Sequence, residues 1–376
     1  MYRFALFAFF VGLASSGISS ERLLTKMESG SYFAVPNMGK APNVEKSSFS
    51  SPLPFKKGIL TGGKKSYSYW ETPDGFIFLK FDKPFNLSRI KINLKAGDYF
   101  GTEKIYVAGW RDIQAALRES SLSKDVEKFE IDLSPQLVKP TLEITAKDGW
   151  NEIKLNDISS LLMLKFERRN GKRMIAVSEV EIWGDDVEEN AECNQFNEYL
   201  NGVLAKENAM RAKLENMPNL AYSGNGTKCW TTLLPWPGTT SHQADCVINQ
   251  KDGNMSEDAK CFQTANYWAA CTPATQASGS SVPQVLYVNL PKSETVTVSR
   301  LVWASANNSC KDYSLECFDD GKWKLLYHDN ANSGQVATYL FKPIVADKFR
   351  LTMYEFSGQA RLLMRSFQLY NPEGSK

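Results

Sequence analysis

The sequence predicts an all-β protein of two tandem β-sandwiches joined by a short α-helical connector. Three observations carry this. Short β-rich runs are punctuated by Gly, Pro, Asp and Asn, as in a sandwich. A single long stretch carries helical spacing, at residues 193–217. The runs after that stretch repeat the pattern of those before it.

Taken in chain order, residues 1–20 combine Arg3, the apolar run FALFAFFVGLA and a small-residue end, SSGISS, the layout of a secretory signal. The apolar run is short of the about 20 residues a spanning helix needs. Later runs such as LLML (161–164) are shorter still. The polar C-terminus, RSFQLYNPEGSK, lacks the tail of a lipid-anchor signal. The expectation is a secreted, extracellular or surface-associated chain with no transmembrane segment. Residues 21–58 are rich in Ser, Pro and Lys and read as an irregular lead-in.

The first sandwich is expected over residues 59–186. FIFLKF (76–81), SRIKINL (88–94), KIYVAG (104–109), KFEIDL (128–133) and TLEITA (141–146) read as its strands, with RDIQAALRES (111–120) as a short helical excursion. LLMLKFERRNGKRMIAVSEVEIWG (161–184) closes it as two strands around Asn170-Gly171. An acidic stretch follows, and residues 187–217 form the helical linker, with Phe196, Leu200, Val203, Leu204, Met210 and Leu214 as a stripe packed on a neighbouring domain. The second sandwich is expected over 218–373, with strands VLYVNL, VTVSRLVWAS, YSLECF, WKLLYH, VATYLF, KFRLTMY and MRSFQLY. A constant offset that sets Leu164 on Leu351 also sets Gly171 on Gly358, Ile175 on Leu362, Val180 on Phe367, Ile182 on Leu369 and Trp183 on Tyr370. Upstream, Tyr69-Trp70 answers Tyr267-Trp268.

Charge and composition remove several function classes. The formal net charge is +2, too small a field for nucleic acid or non-specific membrane adsorption. Two histidines, His242 and His328, leave little for a catalytic triad, and no G-x-S-x-G elbow, H-E-x-x-H, P-loop or dinucleotide fingerprint occurs. The pair Asp319-Asp320 precedes Gly321 and reads as hairpin-turn chemistry. NQKDGNMSEDAK (249–260) fails as a calcium loop, because Lys251 and Lys260 stand where oxygen ligands are needed. The expectation is no enzyme activity, no metal centre and no cofactor. A structural calcium is left room but no placeable ligand set.

All seven cysteines lie in the second half. In an exported chain Cys229, Cys246, Cys261, Cys271, Cys310 and Cys317 are disulfide candidates, with Cys193 upstream as the unpaired one. No C-x-x-C favours zinc instead. Asn86, Asn225, Asn254 and Asn307 stand in N-x-S/T sequons and are glycosylation candidates.

The second copy, ANYWAAC, QVLYVNLPKSETVTVSRLVW, YSLECFDDGKWKLLYHD and FKPIVADKFRLTMYEF leading into SFQLY, resembles the discoidin domains, also called coagulation factor V/VIII type C domains, of the galactose-binding-like superfamily. The resemblance covers residues 218–372. In the first copy, residues 67–185, it rests on the Tyr-Trp entry, FDKPFNLSRI and VSEVEIWG. It implies a divergent tandem pair of jelly-roll sandwiches that present loops to glycans, phospholipid headgroups or proteins. Members commonly tie their two ends by a disulfide, yet the exits Trp183-Gly184 and Tyr370-Asn371 have no cysteine. The bridges are therefore expected to staple the long 223–283 insertion.

The candidate ligand-binding segment is KCWTTLLPWPGTTSH (228–242), where the family places its first loop spike. Lys228, Trp230, Leu233, Leu234, Trp236 and His242 are the candidate contacts, because large apolar rings at a loop tip suit sugar stacking or a lipid interface. Lys56 and Lys57 are further cations for anionic headgroups or sulfated sugars. Tyr69, Trp70, Tyr267, Trp268, Trp183, Trp303 and Trp323 are expected in the cores. The expected function is non-enzymatic binding or adhesion, with a glycan or cell-surface protein as partner. The alternatives are a structural subunit of a surface complex, or a phospholipid binder using Trp230 and Trp236.

Overall fold

A computed structural model describes residues 21–24, 31–35, 67–70, 73–117, 122–131, 133, 137–187, 190–231, 244–253, 268–270, 283–303, 309–332, 334, 336–356 and 362–374. The signal segment, Lys56, Lys57, Tyr267 and most of 249–260 lie outside them.

The chain is all-β, as the sequence predicts. In order it forms β1 (Arg22–Leu23), β2 (Ser31–Val35), β3 (Ser68–Trp70), β4 (Asp74–Leu94), β5 (Thr102–Ala108), α1 (Trp110–Ala116), β6 (Val126–Lys128), β7 (Leu142–Thr145), β8 (Gly149–Arg168), β9 (Ile175–Asp186) and α2 (Ala191–Leu214). After the helix come β10 (Lys228–Thr231), β11 (Trp268–Ala270), β12 (Gln284–Trp303), β13 (Cys310–Asp319), β14 (Lys322–Asp329), β15 (Val336–Phe356) and β16 (Leu362–Tyr370). The strands pair into two antiparallel sheets. The first runs β1-β9-β4-β8-β5-β7, with β2 on β4 and β3 on β9. The second runs β11-β16-β12-β15-β13-β14, with β10 on β12 and β6 on β15.

The long strands change partners or register along their length, as at Lys80/Phe85 in β4 and Asn289/Glu294 in β12. Such irregularities let one strand serve both layers of a sandwich. FIFLKF and SRIKINL are thus two parts of one strand. The repeat seen in sequence is a repeat of topology: β3-β9-β4-β8-β5-β7 with β2 corresponds to β11-β16-β12-β15-β13-β14 with β10. Trp70 and Trp268, on corresponding strands, are both fully buried. So are Leu164 and Leu351, and Ile175 and Leu362.

The first core gathers Ile77, Leu79, Ile90, Ile92, Leu164, Phe166 and Ile182 between the layers. The other side of the same strands, Phe76, Phe78, Leu161 and Met163, packs on Trp110, Ile113, Cys193, Phe196 and Leu200. This two-sided burial explains why FIFLKF and LLMLKF are continuous apolar runs instead of alternating ones. Helix α2 begins at Asn190, whose side chain accepts from the Cys193 N–H at 2.9 Å. Its N-terminal half lies on the first sandwich, while Met210 and Leu214 pack with Phe129 and with Val298 and Tyr370 of the second half. The helix is a splint between sandwiches.

KFEIDL departs from expectation. Val126–Lys128 pairs with β15 of the second sheet, Lys128 opposite Tyr339, and Phe129 N donates to Thr338 O at 3.1 Å. The Lys128 ammonium meets Asp329 at 2.7 Å with both side chains buried, and Glu130 accepts from the Thr338 hydroxyl at 2.6 Å. RDIQAALRES gives a shorter helix, Trp110–Ala116, which ends at the extended Leu117. Asp320 and Gly321, both with positive φ, make the β13–β14 turn, as the Asp-Asp-Gly pattern requires.

The disulfide expectation is not met where it can be followed. Cys229, Cys310 and Cys317 are free thiols, Cys193 is free as expected of the unpaired one, and Cys261 and Cys271 lie outside the described residues. Cys310 and Cys317 stand seven positions apart on one extended strand, too far to bond each other. Cys229 faces the second core, where burial, then Asp245 and Cys246, push its thiol far above the usual range. Among the sequons, Asn225 is exposed in a 3-10 turn, Asn86 is half-buried within β4, and Asn254 and Asn307 lie outside the described residues.

Candidate functional site

Lys228 and Trp230 are not at a loop tip. They lie on β10, paired with Asn289 and Tyr287 of β12, and point away from the core. Leu233, Leu234, Trp236 and His242 lie outside the described residues. Because side chains alternate across a strand, β10 turns Cys229 inward and Lys228 and Trp230 outward. In the same way β12 buries Leu286 and Val288 and turns out Val285, Tyr287 and Asn289.

Cross-strand register extends this face over five strands. One row runs Trp230, Tyr287, Arg350, Glu316, Leu325. A second begins at Lys228 and continues through Asn289 and Lys348. A third runs Val285, Thr352, Ser314, His328. Trp230, 42 % exposed, stacks on Tyr287 with centroids 5.5 Å apart and planes 14° from parallel. Tyr287 reaches Trp323 at 6.0 Å, and Trp323 meets Phe318 edge-on at 5.3 Å. Beneath this band Arg350 forms a two-point ion pair with Glu316, at 2.5 and 2.7 Å, with its guanidinium 4.7 Å from the Trp323 ring. The Glu316 hydrogen bond is the chief reason the Arg350 pKa is raised further. Lys348 sits 5.3 Å from the Phe318 ring.

The Trp230 and Tyr287 rings are near parallel and the Trp323 ring is tilted 55° against Tyr287, and Arg350 pins Trp323, so the rings of this partly apolar band lose little freedom when a ligand meets them. Charged hydrogen-bonding groups border it. His328 Nε2 lies 2.6 Å from Asp312 Oδ1, while the Ser314 hydroxyl bonds the Tyr354 hydroxyl at 3.1 Å. A nucleophile–base–acid relay needs the serine hydroxyl on the histidine, and Ser314 is engaged elsewhere.

The corresponding face of the first sandwich has a different fate. Register sets Ile77 opposite Leu164 and Leu286 opposite Leu351, so Phe78 answers Tyr287 and Met163 answers Arg350. In the first sandwich that face is aliphatic and aromatic and lies under α2. In the second it carries Arg, Glu, Lys and half-exposed rings.

Of the tryptophans expected in the cores, Trp70, Trp268 and Trp303 are fully buried, but Trp183 and Trp323 are half-buried on outer faces. Trp183 is covered by Arg89, 4.4 Å away. Tyr287, Trp323, Arg350 and Glu316 are members of the face that sequence reasoning missed. The readable signal was the Tyr of QVLYVNL in the polar phase of its strand.

No protein-family model and no curated protein matches the chain. Among solved structures it is similar to chitosan-binding module 1 of a chitosanase/glucanase from Paenibacillus sp. IK-5, at 20% identity over 41% of this chain and 98% of that one, TM-score 0.31. It is similar also to the family 32 carbohydrate-binding module of Streptococcus pneumoniae EndoD, at 18% identity over 41% and 99%, TM-score 0.32. The family 32 module of Clostridium perfringens NanJ, in complex with galactose, gives 16% identity over 41% and 98%, TM-score 0.32. At that level of likeness none of those ligands transfers to this chain.

Proposed function

We propose that the protein is an exported, non-catalytic recognition protein whose second sandwich holds carbohydrate on its outer sheet face. The observation that carries this is the contrast between corresponding faces. Where the first sandwich needs a permanent cover, the face is Phe76, Phe78, Leu161 and Met163 and a helix lies on it. In the second the corresponding positions are Val285, Tyr287, Lys348 and Arg350, with Trp230 stacked on Tyr287 and Glu316 paired to Arg350 from the neighbouring strands, a surface compatible with water when bare. Sugar rings match it chemically, since they offer one apolar C–H face and a rim of hydroxyls. The Trp230–Tyr287–Trp323 band would take the first, and Lys228, Asn289 and Lys348 the second.

The test is a glycan array probed with the whole chain, followed by titration of any binder with Trp230→Ala and Tyr287→Ala proteins. Binding weakened about tenfold or more in both is expected for central aromatic anchors. Unchanged binding in both variants removes the face from the site. A stable complex with a protein from native material and no glycan binding supports the assembly-subunit reading instead.

A further inference from the structure

One end of the first sandwich concentrates cations that the face described above does not use. It is formed by residues 95–101, between β4 and β5, and by residues 169–174, between β8 and β9. The two segments are bonded together: Gly101 N to Met174 O at 3.0 Å, Arg169 N to Gly101 O at 3.1 Å, and both Arg173 N and Met174 N to Tyr99 O at 3.0 and 2.9 Å. Lys95, Arg169, Lys172 and Arg173 converge there beside Arg168, with Asp98, Glu103, Asp148 and Glu167 among the carboxylates on these segments and beside them.

What holds these cations matters more than their number. Lys172 Nζ donates to Gly97 O at 3.0 Å, Arg169 Nη2 to Thr102 O at 3.1 Å and Arg168 Nη1 to Arg173 O at 3.0 Å. Lys95 lies 3.6 Å from the Tyr67 ring and 5.0 Å from Phe100, and Arg173 lies 5.4 Å from Tyr99. Carbonyl oxygens and ring faces orient a cation without cancelling its charge. Arg169 has an ion pair, at 3.3 Å with a half-exposed Asp148. The field at this end therefore stays positive although the molecule is nearly neutral.

We propose that this end is a second binding site, for a polyanionic polysaccharide. The tips, Gly97-Asp98 and Asn170-Gly171, carry no aliphatic side chain to enter a bilayer, which disfavours a membrane. Tyr99, 53 % exposed, gives a sugar ring a flat contact amid the charges. The site is separate from the second sandwich's aromatic face and does not depend on it.

The test is retention of the full chain on immobilised heparin as a function of salt, with anionic phospholipid vesicles as the parallel arm. Retention that falls steeply with salt is expected, from release of counterions. Lys172→Ser with Arg173→Ser should weaken it about tenfold at low salt, since each exposed charge pair contributes modestly. Lys292→Ser with Lys342→Ser, which removes two exposed lysines elsewhere, is the charge-matched control. Asp98→Asn should tighten retention, a gain that misfolding does not mimic. The proposal is overturned by absence of retention at low salt, by equal losses in the site and control pairs, or by vesicle binding without heparin binding.

Discussion

Replacing Lys128 by methionine leaves the Asp329 carboxylate without its cation at the point where the first half of the chain joins the second sheet. The Lys128 and Asp329 side chains are 5% and 0% exposed, and the ammonium also reaches Asn332 Oδ1 at 3.3 Å. Burial by itself would raise the Asp329 carboxyl, but Lys128, the Tyr339 hydroxyl and the Ala331 N–H outweigh it and hold the group below the usual carboxylate range. Breaking one side of a buried pair costs about 3–5 kcal/mol, because the remaining charge stays desolvated. The neighbouring pair Lys206–Glu127 is 67% and 44% exposed, and Lys206→Met should leave stability close to that of the wild type. Equilibrium urea unfolding of both variants measures the difference. A depressed carboxyl stabilises above its unfolded-state pKa, and that contribution is lost as pH falls through the folded value. The wild type should therefore lose stability in acid more steeply than Lys128→Met. A Lys128→Met protein within about 1 kcal/mol of wild type would refute the assignment of the joint to this pair.

Two further substitutions probe the same framework. Burial and then the Glu130 charge raise Glu207 to about 9 against the opposing pull of Arg211 and Arg300, so the folded state holds a proton the unfolded state has released, and stability declines as pH rises between the two values. Glu207→Gln, which imitates the protonated acid, should flatten the fall in melting temperature between pH 5 and pH 8.5; an unaltered slope contradicts this. At Gly184 any Cβ would run into the Asn86 carbonyl oxygen of the paired strand. Gly184→Ala should cost about 1–3 kcal/mol in urea unfolding, as overpacking against backbone does, and a neutral outcome would mean that β4 and β9 separate there more freely than their register indicates.

The strands and the repeat were legible because they are written in local pattern. Tyr69-Trp70 and VSEVEIWG mark one β3–β9 pair, and Trp268 with MRSFQLY, whose Met364 it faces, marks its counterpart. Partner choice was not legible in the same way. KFEIDL has ordinary strand chemistry, and nothing local tells Val126–Lys128 that its neighbour is Tyr339 instead of a strand of its own half. The outer face was half legible: Trp230 stands out, whereas the alternation of Trp323 with polar neighbours and the usual burial of tryptophan point to a core. Its actual place depends on the β13–β14 hairpin and on Arg350 beneath it. The environment of the cysteines was not legible either: Cys310 and Cys317 serve as small apolar residues of the second core, a place that spacing along the chain does not announce.

The crossing of β6 into the second sheet has a consequence for how the molecule comes into being. A ribosome delivers residues 126–128 well before it has made the strand that will receive them. Until β15 emerges, the nascent first sandwich must carry an open strand, with Glu130 and Lys128 still hydrated and its backbone groups unsatisfied. The two halves are thus not interchangeable beads on a string. Severing the gene after the first sandwich would yield a protein with a sticky seam, and the C-terminal piece alone would lack one of its own strands.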